Sequence, residues 1–258
     1  MCFPDDGRPP ALPGPQVEAG LARTVLRPRS GPAFAVSRAV PVAATSRTAV
    51  LVIPDGRGLA PYYAQLALGF ARTGREALAV DLYGRTAGVG PRGADFSSGE
   101  HSARLTWAGV RQDLSAAIGC LRRDEPARPV IAVGFCLGGR VSLLAAAAAD
   151  LELSGAVALY SQTSGPARSD LPAPDRLVDE LCCPVLTMFG GADELIPAVE
   201  VERWRDALAA AGRDDDVVVY ADAPHSFFDR AASRYAAESA DAAARMLAFM
   251  TSIESVPA

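Results

Sequence analysis

Short apolar runs alternating with helical stretches constrain the fold of this chain more than any other feature. Thr48 to Ile53 (TAVLVI) is almost wholly apolar and stops at Pro54 and Gly56, the pattern of a strand buried within a parallel sheet. Tyr62 to Arg72 reads as a helix stopped at Gly74, and Ala77 to Leu82 as a second strand. Ala103 to Arg123 carries Leu105, Val110, Leu114, Ile118 and Leu121 near one face, which predicts a long amphipathic helix. Strands are then expected at Pro129 to Phe135, Gly155 to Tyr160, Pro184 to Phe189 and Asp216 to Tyr220. Helices are expected at Leu137 to Ala149, Pro197 to Ala210 and Ala231 to Met250. This succession predicts a mostly parallel central sheet with helices on both faces. Such sheets hold their ligands at the carboxyl ends of the strands. Residues 33–258 show no internal repeat and no second core, and so read as one domain without a large cap. Residues 1–32 are rich in proline and lack periodicity, and so read as an irregular arm. Ala33 to Ala44 suggests one or two edge strands broken by Pro41.

Composition narrows the chemistry. All 25 basic residues are Arg; the chain has no Lys, no Asn and two His, His101 and His225. A Schiff-base or P-loop lysine, a Cys-His-Asn triad and a three-histidine zinc site are therefore excluded. The net charge of −5 argues against nucleic acid and anionic membranes as partners. The N-terminal MCFPDDGRPPALPGP lacks the apolar segment of a signal peptide, and the run Val141 to Ala149 is too short to span a bilayer. Five cysteines without a CxxC spacing suit the reduced thiols of a cytoplasmic protein.

The segment VIAVGFCLGGRVSLLAAAA runs from a strand through Gly134-Phe135-Cys136-Leu137-Gly138-Gly139 directly into a helix. This is the G-x-S-x-G nucleophile elbow with Cys in place of Ser. So sharp a turn strains the central residue and leaves no room for side chains two positions away on either side. It would lift the Cys136 thiol to the start of a helix, where the dipole favours a thiolate. A dinucleotide-binding turn is the weaker reading, because the spacing is G-x-x-x-G-G and not G-x-G-x-x-G. A buried structural cysteine is the other alternative.

A nucleophilic thiol needs a base or a local positive charge. His225, in Ala223-Pro224-His225-Ser226-Phe227-Phe228, follows the last predicted strand, whereas His101 lies in a polar stretch before the long helix. His101 reads as an exposed or capping residue, with lining the pocket as the alternative. An acid must orient the imidazole, and Asp193 in FGGADELIP follows a predicted strand; Glu194 is the second choice, and a turn or capping role is the alternative for Asp193. The order Cys136, Asp193, His225 is the nucleophile-acid-base order of α/β-hydrolases. Oxyanion stabilisation is expected from the backbone N–H groups of Leu137 and of Gly56 in Pro54-Asp55-Gly56-Arg57-Gly58.

With GFCLGG, GGADELIP, APHSFFD and VDLYGR together, the chain resembles the dienelactone hydrolase family of α/β-hydrolases from about Thr48 to Phe249. The resemblance implies an α/β-hydrolase fold and a Cys136-Asp193-His225 triad, with no metal and no organic cofactor. It implies a carboxymethylenebutenolidase-like activity, hydrolysing a small ester or lactone through an acyl-thioester. It also implies that Asp55 tunes the thiol and that Arg85 binds a substrate carboxylate. Where the family has a second carboxylate-binding arginine this chain has Asp229, with Arg230 one step later, so a dienelactone is a poor fit as substrate. The expected partner is therefore a small-molecule ester or lactone, acted on by a monomer or small homo-oligomer. The loops 84–100 and 161–171 are long enough to wall the site. A same-triad acyl transferase or cyclase, and a non-catalytic small-molecule-binding member of the fold, are the alternatives.

Overall fold

The computed structural model describes residues 8–93, 95–166, 169–229 and 231–255. Its strands are β1 (Ala19–Leu26), β2 (Phe34–Pro41), β3 (Ala49–Ile53), β4 (Ala77–Val80), β5 (Val130–Phe135), β6 (Gly155–Leu159), β7 (Val185–Gly190) and β8 (Asp216–Tyr220). Helices are α1 (Pro61–Arg72), α2 (Gly84–Ala87), α3 (Ser98–Ala103), α4 (Trp107–Leu121), α5 (Leu137–Ala146), α6 (Ala198–Ala210) and α7 (Ala236–Glu254). The strands form one sheet in the order β1-β2-β4-β3-β5-β6-β7-β8. Pairing is antiparallel for β1–β2 and β2–β4 and parallel from β4 through β8. This is the mostly parallel sheet of an α/β-hydrolase.

The connections explain where a site can form. From β3 the chain crosses to β4 on one side, whereas β5 leads to β6 on the other. Right-handed crossovers in opposite directions put α1 and α5 on opposite faces of the sheet. The neighbours β3 and β5 thus diverge at their carboxyl ends and open a crevice there. Both strands are fully buried, as a sheet covered on both faces requires. None of the described helices is long and apolar enough to cross a membrane.

Several boundaries differ from expectation; the long helix expected from Ala103 begins at Trp107, and the helix expected to reach Ala149 ends at Ala146. Residues 19–26, read as part of an irregular arm, form β1 along the whole of β2, from Ala19 opposite Pro41 to Leu26 opposite Phe34. Six of its eight residues are exposed, so it lacks the hydrophobic alternation by which strands are recognised. β2 is continuous and ends at Pro41, and α7 starts at Ala236, after turns over residues 231–235.

The segment between β4 and α4 is held down by charge. Arg92 pairs with Asp81 at 2.6 Å, with side chains 3% and 1% exposed, and its guanidinium lies 4.7 Å from the Phe96 ring centre. Burial raises the Asp81 pKa, opposed by Arg92. Arg92→Leu would leave a buried carboxylate unpaired, so a loss of about 3–5 kcal/mol is expected in urea unfolding. Asp81→Asn added to Arg92→Leu should return part of that loss. Equal stability of the two variants would mean that the pair does not anchor the segment.

Candidate active site

At the end of β5 the backbone turns within one residue. Cys136 takes φ 52° and ψ −113°, a conformation costing a non-glycine residue about 1–3 kcal/mol. Its N–H donates to the Leu159 carbonyl at 3.0 Å, and its own carbonyl accepts from Gly139 and Arg140. The turn is tight enough that a side chain at Gly134 would strike the Gly138 carbonyl, and one at Gly138 would strike the carbonyls of Ile53 and Pro54. Because those obstacles are backbone, Gly138→Ala should cost at least about 3 kcal/mol, more than ordinary overpacking. Thermal unfolding should register it as a drop of roughly 6–12 °C, and an unchanged midpoint would contradict the close approach.

His225 and Asp193 come together from loops after β8 and β7. The imidazole Nδ1 lies 2.7 Å from Asp193 Oδ2, while Asp193 Oδ1 accepts the Leu195 N–H at 2.8 Å. Both acid oxygens are thus engaged, and the buried carboxylate is fixed in orientation. Tyr160 packs edge-on against the imidazole, ring centres 5.2 Å apart. Burial by itself would lower the His225 pKa, but the Asp193 bond and the neighbouring Cys136 outweigh it and push the value up to about 10. Nε2 is buried and has no nitrogen or oxygen partner among the described residues, leaving it to the thiol side.

A cavity of about 390 Å³ connects these groups, lined by Gly56, Ser102, Cys136, Leu137, Arg140, Tyr160, Gln162, Leu195 and His225. Gly56 and Leu137 thus flank Cys136 from two different segments. Leu137 is the first residue of α5, a position whose N–H has no partner within its helix. The Gly56 turn is closed by the Gly58 N–H on the Asp55 carbonyl at 3.0 Å, and the Gly56 carbonyl accepts from the Tyr83 hydroxyl at 2.6 Å.

Asp55 and Arg85 are placed differently from the sequence expectation. Asp55 is buried and bound by Arg57, with Nε to Oδ2 at 2.7 Å. Arg57 also reaches Asp229 at 3.3 Å, and although burial opposes its charge, Asp55 holds it protonated. The structure does not bring Arg85 to the cavity: its Nε and Nη2 bond Asp113 at 3.0 and 2.9 Å, and Nη2 also bonds the Ser30 carbonyl. Asp113 and Gln112, about two α4 turns beyond Thr106, are the reason, since they offer it a carboxylate and an amide. Arg230 lies outside the described residues. His101 stacks on Phe96 and bonds Thr86; its neighbour Ser102 lines the cavity instead.

Sequence reasoning missed Tyr160, Arg140 and Arg57. Tyr160 is a buried residue at φ 38°, and nothing in a strand-end tyrosine signals that. Arg140 follows the elbow by four residues, one helical turn, and that spacing could have found it. Its Nε donates to the Pro172 carbonyl at 2.8 Å and its Nη2 to the carbonyls of Gly165 and Leu171 at 2.9 and 3.2 Å. It ties the 161–172 loop to the elbow helix.

The model of the dienelactone hydrolase family matches residues 34–254. A protein of Methylorubrum extorquens named "Putative carboxymethylenebutenolidase" is 31% identical over 225 residues, covering 85% of this chain and 77% of its own. The "Carboxymethylenebutenolidase" of Rhodococcus opacus is 25% identical over 178 residues, 69% of each chain. Among solved structures, "Putative Dienelactone Hydrolase from Klebsiella pneumoniae subsp. pneumoniae MGH 78578" superposes with a TM-score of 0.79. It is 28% identical and covers 91% of this chain and 99% of that one. The family match spans more than four-fifths of the sequence, and the chain belongs to the dienelactone hydrolase family.

Proposed function

We propose that the protein hydrolyses small esters or lactones, with Cys136 as nucleophile, His225 as acid and base and Asp193 as the group that orients it. The observation that carries this reading is the His225–Asp193 bond of 2.7 Å within the cavity that Cys136 lines. An imidazolium beside the thiol favours a thiolate, which attacks the acyl carbon. The tetrahedral oxyanion is held by the N–H groups of Leu137 and Gly56. Collapse expels the alcohol, which takes a proton from His225 and leaves an acyl-thioester on Cys136. His225 then accepts a proton from water, the resulting hydroxide attacks the thioester, and the acid departs. Asp55 acts at one remove, through its pair with Arg57 behind the loop that carries Gly56.

The test is to mix the enzyme with p-nitrophenyl acetate, quench in acid and map the acetylated peptide. Steady turnover with acetyl on Cys136 is the expected result. Acetylation of another residue during turnover, or none of the five thiols carrying acyl at any time, would remove Cys136 as nucleophile. The bonded imidazole gives a second readout. Iodoacetamide should alkylate Cys136 faster than Cys120 or Cys183, both buried.

A further inference from the structure

We infer that the substrate is uncharged and apolar on its acyl side, and that Leu195 is the residue that sets this preference. The inference rests on the hydrolase reading above and concerns which substrates that site accepts. Its first support is the fate of four guanidiniums on the segments that follow β3, β4 and β5. Arg57 is bonded to Asp55 and Asp229, Arg85 to Asp113, Arg92 to Asp81, and Arg140 to the carbonyls of Pro172, Gly165 and Leu171. Each of these four guanidiniums is thus engaged by acceptors of the protein's own. Using one of them to bind a substrate carboxylate would first break a partly or fully buried ion pair or strip a loop of its anchor.

The second support is what the cavity wall presents. Among the described residues that line it, the side chains other than Cys136, His225 and Arg140 are Leu137, Leu195 and Tyr160 with the neutral Ser102 and Gln162. The cations at this wall are already committed, Arg140 to the carbonyls of Pro172, Gly165 and Leu171 and His225 to Asp193, so a carboxylate entering it would lose its hydration for little ionic gain. An alkyl or aryl group would gain by the same desolvation.

Leu195 stands out within that wall. It is 60% exposed, yet its backbone is fixed at both ends: its N–H on Asp193 Oδ1 at 2.8 Å and its carbonyl under Gln162 Nε2 at 3.4 Å. An aliphatic side chain is therefore held at the cavity mouth by the same acid that orients His225.

The experiment compares p-nitrophenyl hexanoate with p-nitrophenyl hydrogen adipate, equal in chain length and differing only in a terminal methyl or carboxylate. The wild type should favour the hexanoate at least about tenfold in kcat/KM, the low end of what an ionic partner withheld from a carboxylate is worth. The preference should persist in 1 M salt, where repulsion by the net charge of −5 is screened. Leu195→Arg should raise kcat/KM for the adipate about tenfold, chiefly through KM, and lower it for the hexanoate; an unchanged ratio of the two esters in that variant would remove Leu195 from the assignment. Equal use of the two esters in high salt, or an adipate preference in the wild type, would overturn the inference and leave the hydrolase reading standing. Failure to turn over either ester, with the fold intact, would instead remove the hydrolase reading and this inference with it.

Discussion

Cys136→Ala should lower kcat/KM for p-nitrophenyl acetate by about 10⁴-fold or more, the largest effect expected of any single substitution in the chain. A nucleophile acts as a unit with its base, so removing it forfeits most of the rate enhancement at once. What survives is binding and oxyanion stabilisation by Leu137 and Gly56, which need no thiol. The fold should be untouched. Cys136 is half-buried at a strained φ of 52°, and alanine removes one sulfur from a cavity wall, after which His225 Nε2 faces the cavity in place of the thiol. Matched urea unfolding of wild type and variant, alongside the rates, separates lost chemistry from lost structure. If the alanine variant turned over the ester at a tenth of the wild-type rate, the acyl-thioester route would be excluded.

Much of this arrangement is legible in the sequence because a few local constraints force it. GFCLGG specifies the elbow, since no side chain fits at Gly134 or Gly138 when the helix starts at Leu137. The apolar runs at β3 and β5 are buried on both faces, and burial leaves a plain mark in composition. His225 and Asp193 are legible for a related reason: each follows a strand of the same parallel sheet, so both must emerge at the same end as Cys136. β1 was not legible, because a solvent-facing edge strand is specified by its backbone ladder more than by its side chains.

Arg85 shows another limit. Its position after β4 is as the family resemblance implies, yet where a guanidinium points depends on which acceptors approach it from elsewhere in the chain. Here Asp113 and Gln112, 28 and 27 residues away, supply them. Pairings of that kind leave no trace in local sequence. The same holds for Arg57, whose bond to Asp55 spans two residues while its bond to Asp229 spans 172. Side-chain partners across long separations follow from the packed fold, and the specificity of this site follows from them.

Asp193→Asn should lower kcat by about 10³–10⁴-fold, the scale of a triad left in the wrong tautomer. The amide can still accept the Leu195 N–H through its oxygen, which preserves the loop bond now made at 2.8 Å. It then presents its NH₂ to His225 Nδ1, which must become the acceptor. The ring proton moves to Nε2, and Nε2 can no longer take a proton from water. Stability should change with pH in a defined sense. The folded His225 pKa is about 10, against the ordinary 6.5, so between those values the native state binds more protons than the unfolded chain. The stabilisation is therefore complete below about pH 6.5 and is lost as pH rises through about 10. Without the Asp193 carboxylate part of that rise in pKa disappears, and with it part of the pH dependence, the remainder coming from Cys136. Urea unfolding at pH 6, 8 and 10 should show the difference between wild type and Asp193→Asn narrowing steadily. A difference constant across that range would mean that the carboxylate does not hold His225 protonated. The mechanism would then need a neutral imidazole in its resting state.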